Sequence, residues 1–405
     1  APRYHARETA LVRAKMNDAV VIMGSVTPSM QALNMAAKEK CELLELKERH
    51  ANAVLPEVKI VDLKQYKGKP MRGEFAVPLF QAMEKALEND EQVILLYNRR
   101  GYASYLQCED CGHIPESPES SVSLTFHKRK NLLMDHYTGY SRRKDTQCEN
   151  CGSPHLKVQG SGTQNIEEQL EDLFPETKVI RFDRDSTSRK GSHERILKEF
   201  GEGNADILIG TQLVAKGLDF PNVTVVGVVN ADTELAFPSF QATERMYQLL
   251  SQVSGRSGRG EKPGTVFLQT RQPDNPALIF AKNHDHRGFA RQEMEFRKPL
   301  YYPPYSRLIR FELKSAKGHE VNMAAHVLKE SAERVVPDVP VLGPSPAAIP
   351  WMNKKYIWEV TMKIDTQKGG SYIEALLDKI LEVYEADIKG KFSGVRVNVN
   401  VDAIN

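Results

Sequence analysis

Short β-rich runs alternating with helical stretches between residues 75 and 269 restrict this chain to one kind of core. Strands are predicted at 92–97, 178–182, 206–210, 223–229 and 264–269. Helices are predicted at 75–87, 166–173, 192–200 and 243–254. The strand runs are almost continuous in Val, Ile, Leu and Phe, as expected of strands buried on both faces. The helices between them supply the crossovers that parallel neighbours require. An α/β core follows, with a parallel sheet covered on both sides. Between Cys108 and Cys151 the rhythm stops, and nothing there predicts a core of its own.

The flanks read differently. A helix is expected over 8–16, then a buried strand over 19–23 ending in a polar turn, then an Ala/Met-rich helix over 28–38. From 47 to 72 periodicity fades apart from a short strand at 58–63, so this stretch reads as a connector. After Pro273 comes a helical stretch, 276–296, halted by Tyr302-Pro303-Pro304. Strand 306–313, helix 319–335, strand 357–364, helix 373–384 and strand 395–401 then spell a small α+β module. The expected domains are 1–46, a connector 47–72, an α/β unit 73–106 resumed at 158–275, an insert 107–157, and 276–405.

Composition excludes several classes. The 405 residues are 40% hydrophobic and 27% charged, an ordinary globular balance. No apolar run approaches the roughly 18 residues of a membrane span, and the opening resembles no signal peptide. Five cysteines make no disulfide framework, and four of them form two Cys-x-x-Cys pairs, which points to metal in a reducing, cytoplasmic setting. With a net charge of +2, affinity for nucleic acid has to come from local patches.

The sharpest motif is Gln252 followed by Gly255, Arg256, Gly258, Arg259 and Gly260, between a predicted helix and a predicted strand. Two arginines three apart, flanked by small residues, suit a polyphosphate and the charge that develops in phosphoryl transfer. A Gly/Arg-rich surface turn is the plainer alternative. Upstream, Thr211-Gln212 and then Gly217, Asp219 and Pro221 are expected on loops at strand ends, where open α/β sheets bind ligands; a structural turn is the competing reading.

Cys108, Cys111, Cys148 and Cys151, each pair followed by glycine, could supply four thiolates to one structural zinc in a closed tetrahedral shell. Cys41 has no partner and reads as an ordinary semi-buried residue. Inside the insert, Lys128-Arg129-Lys130 and Arg142-Arg143-Lys144 lie near Phe126, Tyr137 and Tyr140. Cations beside aromatics suit DNA or RNA phosphates and bases, although a solvated basic face has the same composition. His113, His127 and His136 are read as surface or packing residues.

Together these residues resemble motifs V and VI of superfamily 2 helicases, and Gly24-Ser25-Val26-Thr27-Pro28 resembles their motif III. The closer resemblance is to the PriA family of replication-restart DNA helicases. It is carried by Pro2-Arg3-Tyr4-His5-Ala6-Arg7, Asn98-Arg99-Arg100-Gly101-Tyr102, Gly160-Ser161-Gly162-Thr163, Phe174-Pro175, Asp183-x-Asp185, Tyr302-Pro303-Pro304 and Gly343-Pro344. It implies a RecA-like second lobe with an inserted zinc module, a remnant of the first lobe, and a small α+β C-terminal domain. It also implies 3′-to-5′ unwinding of DNA and work with single-stranded-DNA-binding protein and helicase-loading proteins of the primosome.

On the resemblance, Arg256 and Arg259 engage the γ-phosphate of ATP, with Gln252, Gly217 and Asp219 completing the nucleotide site. Ser25 and Thr27 couple nucleotide state to lobe movement. Arg3, Tyr4, Arg7, Lys128, Arg129, Arg142 and Arg143 are the DNA candidates, with Lys354-Lys355 a weaker pair. Two departures stand out. The family has eight cysteines and two zincs, whereas the inner four positions here are Ser117, Ser120, Asp135 and Thr138, so one zinc is expected. The 405 residues contain neither a Gly-x-x-x-x-Gly-Lys-Thr loop nor an Asp-Glu-Glu-His box, so they resemble a C-terminal part that does not hydrolyse ATP by itself, ATP and Mg²⁺ being bound by the intact protein. A RecG-like translocase and a non-catalytic zinc scaffold are the competing readings.

Overall fold

In the computed structural model the described residues are 6–46, 55–66, 71–97, 105–108, 115, 118, 124–127, 131–134, 140–159, 163–183, 186–187, 191–211, 220–234, 239–255, 263–388 and 390–402. Helices α1 (Ala6–Met16) and α2 (Met30–Ala37) come first, then β1 (Glu57–Asp62), α3 (Val77–Glu88) and β2 (Gln92–Leu96). The insert holds β3 (Tyr105–Cys108), β4 (Thr125–His127), β5 (Leu132–Met134), β6 (Ser141–Arg143) and β7 (Leu156–Gln159). The α/β rhythm resumes with α4 (Thr163–Leu173), β8 (Val179–Phe182), α5 (Ser192–Gly201), β9 (Ile207–Gly210), β10 (Val223–Val228), α6 (Ala242–Ser254) and β11 (Thr265–Thr270).

One six-stranded sheet, ordered β1-β11-β10-β2-β9-β8, is parallel throughout. Val93, Leu95, Ile207, Ile209, Val225 and Phe267 face α3 and α4, which contribute Leu79, Met83, Ile166 and Leu170 to a common core. Alternate residues such as Ile94, Leu96, Leu208, Val226 and Leu268 are equally buried, so both faces are covered as the continuous apolar runs require. The predicted connector 47–72 is corrected here, because β1 is an edge strand of this sheet. Its alternating Glu57-Val58-Lys59 pattern, with charged residues facing out, suits an edge and hid its membership.

The predicted strand over 19–23 is absent. Among the described residues no strand pairs with it, and Val20 and Ile22 are 90% and 92% exposed. An isolated extended segment has no ladder in which to satisfy its backbone. The insert, expected to lack a core, has a small one: Leu106, Leu124, Phe126 and Leu133 are buried, with Tyr140 and Leu156 packed against them.

The helical stretch after Pro273 is two helices, α7 (Pro276–Lys282) and α8 (His286–Arg297), divided at His284, whose φ is positive. The tail comprises β12 (Ser306–Ser315), α9 (Gly318–Val335), β13 (Val341–Met352), β14 (Lys355–Asp365), α10 (Gly370–Ile388) and β15 (Arg396–Val401). Its antiparallel sheet, ordered β13-β14-β12-β15, carries both helices on one core of Ile309, Phe311, Leu328, Val360, Met362 and Ile380. That order and connectivity make a β-α-β-β-α-β split fold. Strand β13 was not predicted. Gly343, Pro344, Pro346 and Pro350 read as breakers, yet on an edge strand with two register shifts they are tolerated.

Candidate functional site

The described residues flank two of the candidate motifs. Phe220, next to Asp219, lies just before β10 and packs edge-to-face on Phe200, 4.8 Å between ring centres. Gly255 closes α6 and Thr265 opens β11, the neighbour of β10. The sequence predicts Gly217, Asp219, Arg256 and Arg259 on loops at strand ends. Those four residues lie outside the described ones. Gln252 sits exposed on the last turn of α6.

At the carboxyl edge a buried polar network joins α4 to β8. Thr163 donates to Asp183 Oδ2 at 2.7 Å, and Arg181 Nε lies 3.0 Å from that same oxygen. Arg181 Nη1 also reaches Glu167 at 3.3 Å. Ser186 and Asp183 exchange hydrogen bonds of 2.9 Å, which fixes the start of the following loop. Burial alone would raise the Asp183 carboxyl, but Arg181, Thr163 and Ser186 outweigh it and hold it below the ordinary value. Sequence reading marked Thr163 and Asp183 without giving them chemistry, and it missed Arg181 and Glu167. The signal was available. Arg181 and Asp183 are two apart on one strand face, and Thr163 and Glu167 are four apart on one helix face.

Near the start of the chain, Ser25 Oγ accepts from the Thr27 amide at 3.1 Å, and Thr27 is buried. Arg7 pairs with Glu8 at 2.7 Å and donates to Ser29 Oγ at 2.8 Å, so it braces this turn. Arg3 and Tyr4 lie outside the described residues.

In the insert, β3 and β7 form a ribbon in which Cys108 stands opposite Leu156. The Cys148–Cys151 turn just before β7 therefore adjoins the end of β3. The Cys148 amide donates to Ser153 O at 2.7 Å and the Gly152 amide to Cys148 O at 2.8 Å. Gly152, at φ +74°, makes this tight knuckle possible. Cys148 is buried and Cys151 exposed. Cys111 and the Cys108 side chain lie outside the described residues, as do Lys128, Arg129, Ser117, Ser120, Asp135 and Thr138. Arg142 pairs with Asp145 at 3.1 Å and Glu149 at 2.9 Å, while Arg143 is exposed. Cys41 is half-buried, as expected.

Two family models match, the helicase conserved C-terminal domain over residues 160–261 and the primosomal protein N C-terminal domain over 298–404. Replication restart protein PriA of Bacillus subtilis is 41% identical over 98% of this chain and 49% of its own length. The proteins of the same name from Synechocystis and Haemophilus influenzae are 37% and 36% identical, covering 100% and 99% of the chain. The chain belongs to the PriA family. It spans about half the length of these relatives, 48% and 54% of the latter two. Among solved structures, RecG bound to a three-way DNA junction is similar over 67% of this chain and 26% of that one, at 15% identity and a TM-score of 0.38.

The family-typical residues outside the motor motifs now have places. Phe174 stacks on Phe80 of α3, 5.3 Å between ring centres. Pro303-Pro304 and Gly343-Pro344 both carry cis peptide bonds, and the fully buried Arg297 donates to Pro303 O at 3.3 Å. Lys354 lies in the left-handed turn between β13 and β14. Ser117, Ser120, Asp135 and Thr138 were the inner positions singled out in the sequence. Two hydroxyl serines, a threonine and one carboxylate do not make a tetrahedral zinc set.

Proposed function

We propose that this chain is the second motor lobe, zinc insert and C-terminal domain of an ATP-dependent DNA helicase that moves 3′ to 5′ and restarts replication at stalled forks in the cytoplasm. The observation that carries this reading is the 41% identity to a PriA protein across 98% of the chain. No described helix is long and apolar enough to cross a membrane. Gln252, Gly217, Asp219, Arg256 and Arg259 form this chain's share of the nucleotide site, and bound ATP with Mg²⁺ supplies the phosphoryl group they act on. The two arginines engage its outermost phosphate. Ser25 and Thr27 transmit nucleotide state.

One zinc is held by Cys108, Cys111, Cys148 and Cys151, and its role is structural. Arg3, Tyr4, Arg7, Lys128, Arg129 and Arg143 contact single-stranded and branched DNA. Single-stranded-DNA-binding protein and helicase-loading proteins are the proposed partners.

The nucleotide half of this reading is tested by ATP hydrolysis. With no Gly-x-x-x-x-Gly-Lys-Thr loop among its 405 residues, the purified chain is expected to show no turnover, with or without DNA. Full-length protein is expected to lose its DNA-stimulated turnover on Arg259→Ala. Full turnover in that variant would overturn the role given to the arginine.

A further inference from the structure

The run Arg142-Arg143-Lys144 reads in sequence as one basic patch, but the strand register divides it. In the three-stranded sheet of the insert, Phe126 stands opposite Leu133, and Leu133 opposite Arg142. Directly opposed residues of antiparallel strands project to the same face. Phe126 and Leu133 are core residues, so Arg142 leaves β6 on the inward face, with 28% of its side chain exposed. Arg143 and Ser141 occupy the other face and are exposed. Lys144 lies over the Phe126 ring, 5.6 Å from its centre.

The inward guanidinium ends on two carboxylates. It meets Asp145 at 3.1 Å and Glu149 at 2.9 Å, and Glu149 is the residue directly after Cys148 in the knuckle. A strand of the apolar half of the insert is thus tied by charge to the turn that presents two of the four thiolates. The guanidinium is held by two carboxylates and reaches the knuckle through the second of them, so what it gives the metal centre is a fixed position for the turn beside Cys148.

We propose that Arg142 is a positioning residue of the metal centre, holding the Cys148–Cys151 knuckle through Glu149, and that Arg143, not Arg142, faces nucleic acid. This rests on the reading that the four cysteines hold zinc. The inference also explains how an insert with Ser117, Ser120, Asp135 and Thr138 at its inner positions stays attached to its ribbon. An apolar core and an ion-pair tie join the two halves.

The test is a crossed pair of variants in the full chain. Zinc content is measured by elemental analysis and zinc affinity by chelator competition. DNA affinity is measured by fluorescence anisotropy with a single-stranded oligonucleotide over a salt series. Arg142→Gln is expected to weaken zinc binding by about 2- to 5-fold, the share a partly exposed ion pair contributes, and to leave DNA affinity unchanged. Arg143→Gln is expected to keep zinc and lower the salt dependence of DNA binding by about one ion.

Should Arg142→Gln fail to fold, Glu149→Gln removes the same tie from the other end and is expected to weaken zinc binding in the same direction. Wild-type zinc affinity in Arg142→Gln, or in Glu149→Gln where that variant stands in, would overturn the proposal. So would a loss of DNA affinity in Arg142→Gln matching that in Arg143→Gln. A wild-type chain that is folded and reduced but free of zinc would sink the metal reading itself, a distinct failure because no variant is needed to see it.

Discussion

Asp183 shows how much one side chain can hold in this protein. Its carboxylate takes a hydroxyl from α4, a guanidinium from its own strand and an amide from the loop that follows. Removing a buried charge-assisted hydrogen bond costs about 1.5–3 kcal/mol, so Asp183→Asn should lower the urea midpoint by a corresponding amount. The pH dependence has a definite sign. Because the folded pKa is depressed, the stabilisation is fully present above the unfolded value of about 4 and is lost as pH falls through the lower folded value. The gap between wild type and Asp183→Asn should therefore be constant at neutral pH and narrow below about pH 4. A gap that widens on acidification would show that Arg181 does not hold this carboxylate charged.

At the scale of elements, helix α3 lies close on the sheet because β10 carries a glycine beneath it. A Cβ built on Gly227 would stand 2.7 Å from Leu95 Cδ2, with both Leu79 methyls within 3.0 Å. Both leucines are fully buried, so neither has room to yield without moving α3 or β2. Gly227→Ala should cost about 1–3 kcal/mol of stability by overpacking, even though alanine suits a strand better than glycine does. Urea unfolding followed by circular dichroism would measure it. Unchanged stability would mean that α3 is free to rise off the sheet. Strands β1 and β13 make a further point about elements. Both are edges, one coded in alternating charge and the other interrupted by prolines, and sheet membership there is decided by the neighbouring strand.

At the scale of the molecule, the residues matched by the primosomal C-terminal model close on a core of their own. Sixteen buried residues from β12, α9, β14 and α10 and their flanks form one cluster. A fragment covering 298–404 should unfold cooperatively in urea, with a slope of about 1–3 kcal/mol/M. A broad, non-cooperative melt would show that this core depends on the rest of the chain.

The alternation of apolar strands and helices determined the parallel sheet by itself, because strands buried on two faces and joined by helices have few other arrangements. The glycine-arginine run and the cysteine pairs stand out in the sequence because they are patterns of residue type and spacing. Tertiary structure decided the rest. It set the membership of β1 in the large sheet, because an edge strand is completed by its neighbour. It also set the partners of Arg181 and Arg142, because opposite charges meet only when helix, strand and register bring them to one face. The failure of residues 19–23 to form a strand has the same cause: a β-strand is completed by its neighbours, and its own sequence cannot supply them.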